Sequence, residues 1–135
     1  MFLSAGWVFN AEAQEALPDV IIENVVLTPE RLTFYYHNQG NAPLTANSLY
    51  FRHQWINGDG SPVGPFADFL LSGNNIMSQA YTFTMDSTAS QYTSQYQALN
   101  SYITSPPEGS VRLRITADSP NSQIESNENN NVVEV

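Results

Sequence analysis

The chain has 135 residues, 13 carboxylates against four arginines, a formal net charge of -9 and no cysteine. Arg31, Arg52, Arg112 and Arg114 are too few and too dispersed to neutralise a run of phosphates, so nucleic acid is excluded as a partner and anionic lipid is repelled. Without cysteine there is neither a disulfide framework nor a thiolate metal site.

The length suits one sandwich-sized domain, and a hydrophobic content of 41% is enough to bury a core. Ser, Thr, Asn, Gln and Tyr supply most of the polarity where Lys and Glu usually do, a surface style that points to an extracellular or cell-surface protein. The first stretch, Phe2-Leu3-Ser4-Ala5-Gly6-Trp7-Val8-Phe9, is apolar but far short of the roughly 20 residues of a membrane helix, and no membrane span is expected. Ala11-Glu12-Ala13 after it has the shape of a signal-peptidase site, although no basic stretch precedes the run. Residues 1–16 therefore read either as a leader remnant or as an extended donor strand. In the second reading Phe2, Leu3, Trp7, Val8 and Phe9 contact a neighbouring copy by strand addition.

Residues 17–135 read as the domain proper. Val20 to Leu27 is a β-branched run closed by Thr28-Pro29, a first strand. Leu32, Phe34 and Tyr36 alternate with Thr33, Tyr35 and His37 in a second strand, which Asn38 to Pro43 turns. Leu49, Phe51, His53 and Trp55 alternate with Tyr50, Arg52, Gln54 and Ile56 in a third. Asn57-Gly58-Asp59-Gly60 is turn chemistry, and Pro65 to Leu71 is a short edge strand that the prolines keep from pairing further. Ile76 to Met85 gives a fifth strand, Val111 to Ile115 a sixth and Val132 to Val135 a seventh.

Between the fifth and sixth strands, residues 86–105 form an insertion without clean alternation. Tyr92, Tyr96, Leu99 and Ile103 fall at helical spacing, which predicts a short helix laid over one end of the sandwich; a Tyr-rich loop is the competing reading. Short turn-rich connections disfavour a parallel βαβ architecture, so the pattern is all-β with antiparallel sheets.

The close of the chain, Ala117 to Asn131, with Glu125-Ser126-Asn127-Glu128-Asn129-Asn130-Asn131 within it, resembles the end of the CARDB family, the cell-adhesion-related domain found in bacteria. Leu17-Pro18-Asp19-Val20 is similar to that family's opening strand, and Asn38-Gln39-Gly40-Asn41-Ala42 to its Asn-x-Gly-x-Ala turn; Leu71-Ser72-Gly73 matches a Leu-x-x-Gly turn more weakly. The likeness spans residues 17–135 with strong ends and a vague middle, and neither the leading segment nor the 86–105 insertion belongs to it. It implies an immunoglobulin-like seven-stranded antiparallel β-sandwich outside the cell with an adhesion-like role. Fold alone does not fix function.

The Asn-rich segment admits two readings. Asn and Asp side chains satisfy backbone groups in tight turns and so lock a crossing between strands. Alternatively, Asp118, Asn121, Glu125, Asn127 and Glu128 supply the hard oxygens that calcium requires, the one cofactor the sequence suggests. Asn57, Asp59, Ser61 and Asp68 echo a calcium loop only faintly, because Pro62 stands where such a loop needs Gly. His37 and His53 lack zinc spacing, no Gly-x-Ser-x-Gly elbow occurs, and no enzyme activity is expected. Trp7, Trp55, Tyr92, Tyr96 and Tyr102 are candidate contact aromatics, with Trp55 expected in the core and the Tyr group of the insertion either on the surface or packed inward by a helix. These features point to a structural or adhesive module that binds copies of itself, as in a filament. The alternative is a carbohydrate-binding or accessory module of a secreted protein, with a surface glycan or protein as its partner.

Overall fold

The computed structural model describes residues 15–29, 31–42, 44, 48–72, 81–86, 94–118 and 124–135. Within them the chain forms β1 (Val20–Thr28), β2 (Arg31–Asn38), β3 (Ser48–Ile56), β4 (Ala67–Ser72), β5 (Tyr81–Asp86), α1 (Ser94–Thr104), β6 (Arg112–Ala117) and β7 (Val132–Glu134). Two sheets result, one ordered β1-β2-β5 and the other β4-β3-β6-β7, and every pairing is antiparallel.

Period-two patterning places the core as the sequence leads one to expect in β2 and β3. Leu32, Phe34 and Tyr36 point inward from one sheet, and Leu49, Phe51, His53 and Trp55 from the other. Phe34 meets Phe51 at 5.3 Å between ring centroids, Tyr36 at 6.2 Å and the His53 imidazole at 6.3 Å, in the tilted arrangements that aromatic quadrupoles favour. Leu113, Ile115 and Ala117 of β6 complete that layer. Ile56 departs from the expected alternation: it is fully buried, although its position in β3 assigns it to the outer face.

β1 departs from simple alternation as well. Its register against β2 shifts between Glu23 and Val26, and Asn24 adopts φ 53°, in the left-handed region that Asn tolerates. The extra residue switches parity: Val20 and Ile22 face the core before the bulge, Val25 and Leu27 pack against it afterwards, and Val26 is left exposed.

The borders of the sandwich are treated differently on its two sides. β1 packs against β7 and β6, bringing those edges together, whereas α1 packs against both β4 and β5 and so spans the opposite gap. Leu99 and Ile103, one helical turn apart, reach the core from α1. The insertion thus contains the helix its spacing predicts, and that helix bridges two edge strands. No helix among the described residues is long and apolar enough to cross a membrane.

Candidate functional site

Two ends of the sandwich contrast sharply: the end where β1 begins carries a polar junction, and the end where β1 finishes carries an apolar groove. At the first, the turn after β2 folds onto residues 17–19. Asn38 Oδ1 accepts from the Asp19 N–H at 2.9 Å and the Gly40 N–H at 3.0 Å, while its Nδ2 donates to Ala42 O at 2.7 Å. Backbone bonds run from Asn41 N to Leu17 O and from Gln39 N to Asp19 O. Close approach makes Gly40 obligatory: a Cβ there would lie 2.4 Å from Leu17 O and 2.6 Å from Asp19 N.

The loop leading into β7 fastens to the same place. The Glu125 carboxylate accepts from the Val20 N–H at 2.5 Å through Oε2 and from Asn131 Nδ2 at 2.9 Å through Oε1. Asp19 accepts from Gln39 Nε2 and Asn130 Nδ2, each at 2.8 Å, and Ser126 N donates to Pro18 O. Burial is the chief reason the Glu125 carboxyl is pushed up to about 7; the Val20 and Asn131 donors pull the other way, and the neighbouring Asp118 and Glu128 carboxylates add to the rise. Asn131 Oδ1 is buried there with no donor. Rotating that amide by half a turn would let it accept from a protonated Glu125, so amide orientation and carboxyl protonation are coupled.

Of the residues offered as calcium ligands, Asp118, Glu125 and Glu128 are neighbours, Asn127 bonds the Asn129 N–H in a local turn, and Asn121 lies outside the described residues. Glu128 Oε1 accepts from the Glu125 N–H at 2.8 Å. Among the described residues no three His, Cys, Asp or Glu side chains are grouped to hold a metal. With both Glu125 oxygens taken by protein donors, the residues fit the role of a lock between strands better than that of a coordination sphere.

The fainter candidates separate. Asn57 Oδ1 and Asp59 Oδ1 both accept from the Ser61 N–H, a hairpin turn, and Asp68 is held by Arg52 at 2.8 and 2.9 Å instead of joining them. His37 approaches Glu23 at 3.4 Å on the surface; His53 is buried, and burial lowers its pKa to about 4, so it stays neutral.

At the far end, Leu27, Thr28, Pro29, Trp55, Ile103, Thr104 and Pro106 line a cavity of about 430 Å³, and none of these described residues is ionisable. Tyr102 holds the Trp55 wall: its hydroxyl accepts from the Trp55 N–H at 3.1 Å and donates to Pro65 O at 2.7 Å, and its carbonyl accepts from the Trp55 indole at 3.1 Å. Trp55 is core, as expected, and Tyr102 is engaged and not free to stack on a ligand. Tyr96 stands on α1; Tyr92, and with it Phe2, Leu3, Trp7, Val8 and Phe9, lie outside the described residues. The groove combines residues from β1, β3 and α1 that no sequence motif links. Asp19 and Asn131 were equally hidden as junction residues, although an Asp opening a β-branched strand is a recognisable request for a donor.

No family model matches the chain, and no curated protein matches it. The chain is similar to a CARDB domain. That solved structure, from a Pyrococcus furiosus protein in complex with di-metal ions, shares 19% identity over 90% of this chain and 93% of the other, with a TM-score of 0.45. The family is the one that the two ends of the sequence resemble.

Proposed function

We propose that this chain is an extracellular structural or adhesive module that self-associates into filaments through its leading apolar segment. The strand order β1-β2-β5 against β4-β3-β6-β7 corresponds in this reading to strands A-B-E and C′-C-F-G of an immunoglobulin-like sandwich. The observation that carries the proposal is the groove that Leu27, Pro29, Trp55, Ile103 and Pro106 line with apolar side chains, in a chain that also bears an apolar run at residues 2–9. Apolar surface without polar catalytic groups supports binding by burial, and no catalytic residue is assigned. A carbohydrate-binding role has less support, because Trp55 is 6% exposed and Tyr102 is tied to Trp55 and Pro65.

Light scattering and electron microscopy of the full chain across a concentration series provide the test. Species that grow with concentration are expected, and replacing Phe2, Trp7 and Phe9 together by Ser should shift assembly to at least about tenfold higher concentration. A monodisperse monomer at every concentration would sink the proposal.

A further inference from the structure

We propose that Asn57 is a self-modification site, at which the backbone nitrogen of Gly58 attacks the Asn57 side-chain amide and converts residue 57 to aspartate and isoaspartate in the folded chain. Asn57-Gly58 is the one Asn-Gly pair in the sequence, and it sits in the turn that follows β3. The nucleophile is unhindered. Gly58 is exposed, and a Cβ built on it would meet nothing within 4 Å. Its N–H takes no part in the turn's backbone bonds, which run from Asn57 N to Ser61 O at 2.9 Å and from Gly60 N to Asn57 O at 3.2 Å. Without a side chain at position 58, nothing stands between that nitrogen and an approaching carbonyl carbon.

The Asn57 amide is held ready for attack. Its Oδ1 accepts from the Asp59 N–H at 3.2 Å and from the Ser61 N–H at 2.9 Å. A side-chain carbonyl bonded two residues ahead turns its carbon back over the intervening peptide, here the Gly58 nitrogen. The same donors are in place as negative charge develops on that oxygen, the arrangement that stabilises an oxyanion. The leaving nitrogen is provided for as well. Ser61 is the main donor that holds the Asp59 carboxyl below its usual range, and the Asn57 side chain adds to it, so an ionised carboxylate stands beside the amide. That charge favours the positive charge the departing nitrogen acquires with its extra proton.

The steps balance without oxidant or reductant. Gly58 N bonds to Asn57 Cγ, the Gly58 N–H proton passes through solvent to the side-chain nitrogen, and the Cγ–Nδ2 bond breaks to release ammonia, leaving a succinimide. Water then adds to either ring carbonyl. Opening at Cγ restores the main chain with an aspartate, whereas opening at the main-chain carbonyl routes the chain through Cγ and leaves isoaspartate. Either product places a new carboxylate beside Asp59. Isoaspartate also removes the Asn57 carbonyl that accepts from Gly60 N, loosening a turn whose Gly60 O accepts from Arg114 at 3.1 Å.

Peptide mapping by mass spectrometry tests this on the full chain, incubated in mildly alkaline buffer either folded or unfolded in urea. Fragmentation that separates isoaspartate from aspartate reports the succinimide route, since direct hydrolysis of the amide gives aspartate alone. The expected result is conversion at position 57 with isoaspartate present, faster in the folded chain than in urea. Gly58→Ala, which the open space accommodates, should slow it at least about tenfold by placing a methyl group beside the nucleophile. Asp59→Ser removes the charge beside the leaving nitrogen and should slow it about threefold, the scale of an exposed charge contact. Slower conversion in the folded chain than in urea would overturn the proposal, because the turn would then shield the amide. Aspartate without isoaspartate, or an unchanged rate in either variant, would overturn it too. The comparison of folded with unfolded parent chain needs no substitution, so it decides the matter even where a variant disturbs the hairpin.

Discussion

The two ends of the sandwich solve opposite problems with the same strands. At the polar junction, side chains from residues 19, 38, 39, 125, 130 and 131 bond backbone and one another, so the beginning of β1 is fastened from both flanks. At the apolar groove the walls are apolar or threonine side chains, and Tyr102 ties β3 to the connecting segment at Pro65 beside the Gln54 bonds to Val63 O and Gly64 O. Polar satisfaction makes an end rigid and self-contained, whereas unfilled apolar surface leaves an end available. Stability should therefore be concentrated at the first end and association at the second.

The most severe way to break this contrast is Gly40→Ala. Its Cβ would press on the backbone at Leu17, Pro18 and Asp19, atoms that cannot swing aside, and a loss of about 3 kcal/mol is expected in urea denaturation. An unchanged midpoint would mean that the two segments are not clamped together.

Glu125→Ala comes next, with a loss of about 2 kcal/mol, since the Val20 N–H is then buried without its acceptor. Glu125→Gln sharpens the comparison through pH. The folded carboxyl titrates at about 7, above its usual 4.5, so the folded state holds a proton that the unfolded chain releases; stability falls as pH rises from about 4.5 to 7 and is level beyond. His53 has the reverse linkage: its folded pKa of about 4 lies below the usual 6.5, so stability is lost as pH falls through that window. In the parent chain the two slopes oppose each other between about pH 4.5 and 6.5, giving a nearly flat profile. Glu125→Gln removes one of them, and stability should then climb with pH across the window by at most about 1.4 kcal/mol per unit. Rotation of the Asn131 amide lets its unpaired Oδ1 accept from the new Gln, so this variant should match or exceed the parent at pH 8. Melting temperatures measured from pH 4 to 8 distinguish the profiles, and a flat profile in the variant would show that Glu125 does not titrate as described.

Tyr102→Phe should cost least, about 1 kcal/mol, by removing the hydroxyl between Trp55 N and Pro65 O while keeping the ring. If it cost more than Glu125→Ala, the groove would be the better-fastened end and the contrast would be inverted.

Much of the architecture was legible because apolar alternation is local. Phe34 and Phe51 announce an inward face by their neighbours alone, and Leu99 with Ile103 announces a helix in the insertion. The bulge in β1 was not legible, since a run of β-branched residues looks alike before and after a parity switch. Glu125 and Asn131 stood out as an Asn-rich acidic segment, yet nothing local says that the carboxylate accepts from a backbone donor 105 positions earlier.

What the sequence determined by itself was the all-β pattern and the aromatic core positions, while the spacing of Leu99 and Ile103 offered a helix beside a competing loop. Each of these depends on residues close in the chain or on sums over it. Only the tertiary structure decided that the loop into β7 locks the start of β1, that α1 packs against both β4 and β5, and that β1, β3 and α1 leave a groove between them. Those outcomes depend on which distant segments share a border once two sheets stack, and pairing across long loops is set by global packing and not by any local preference.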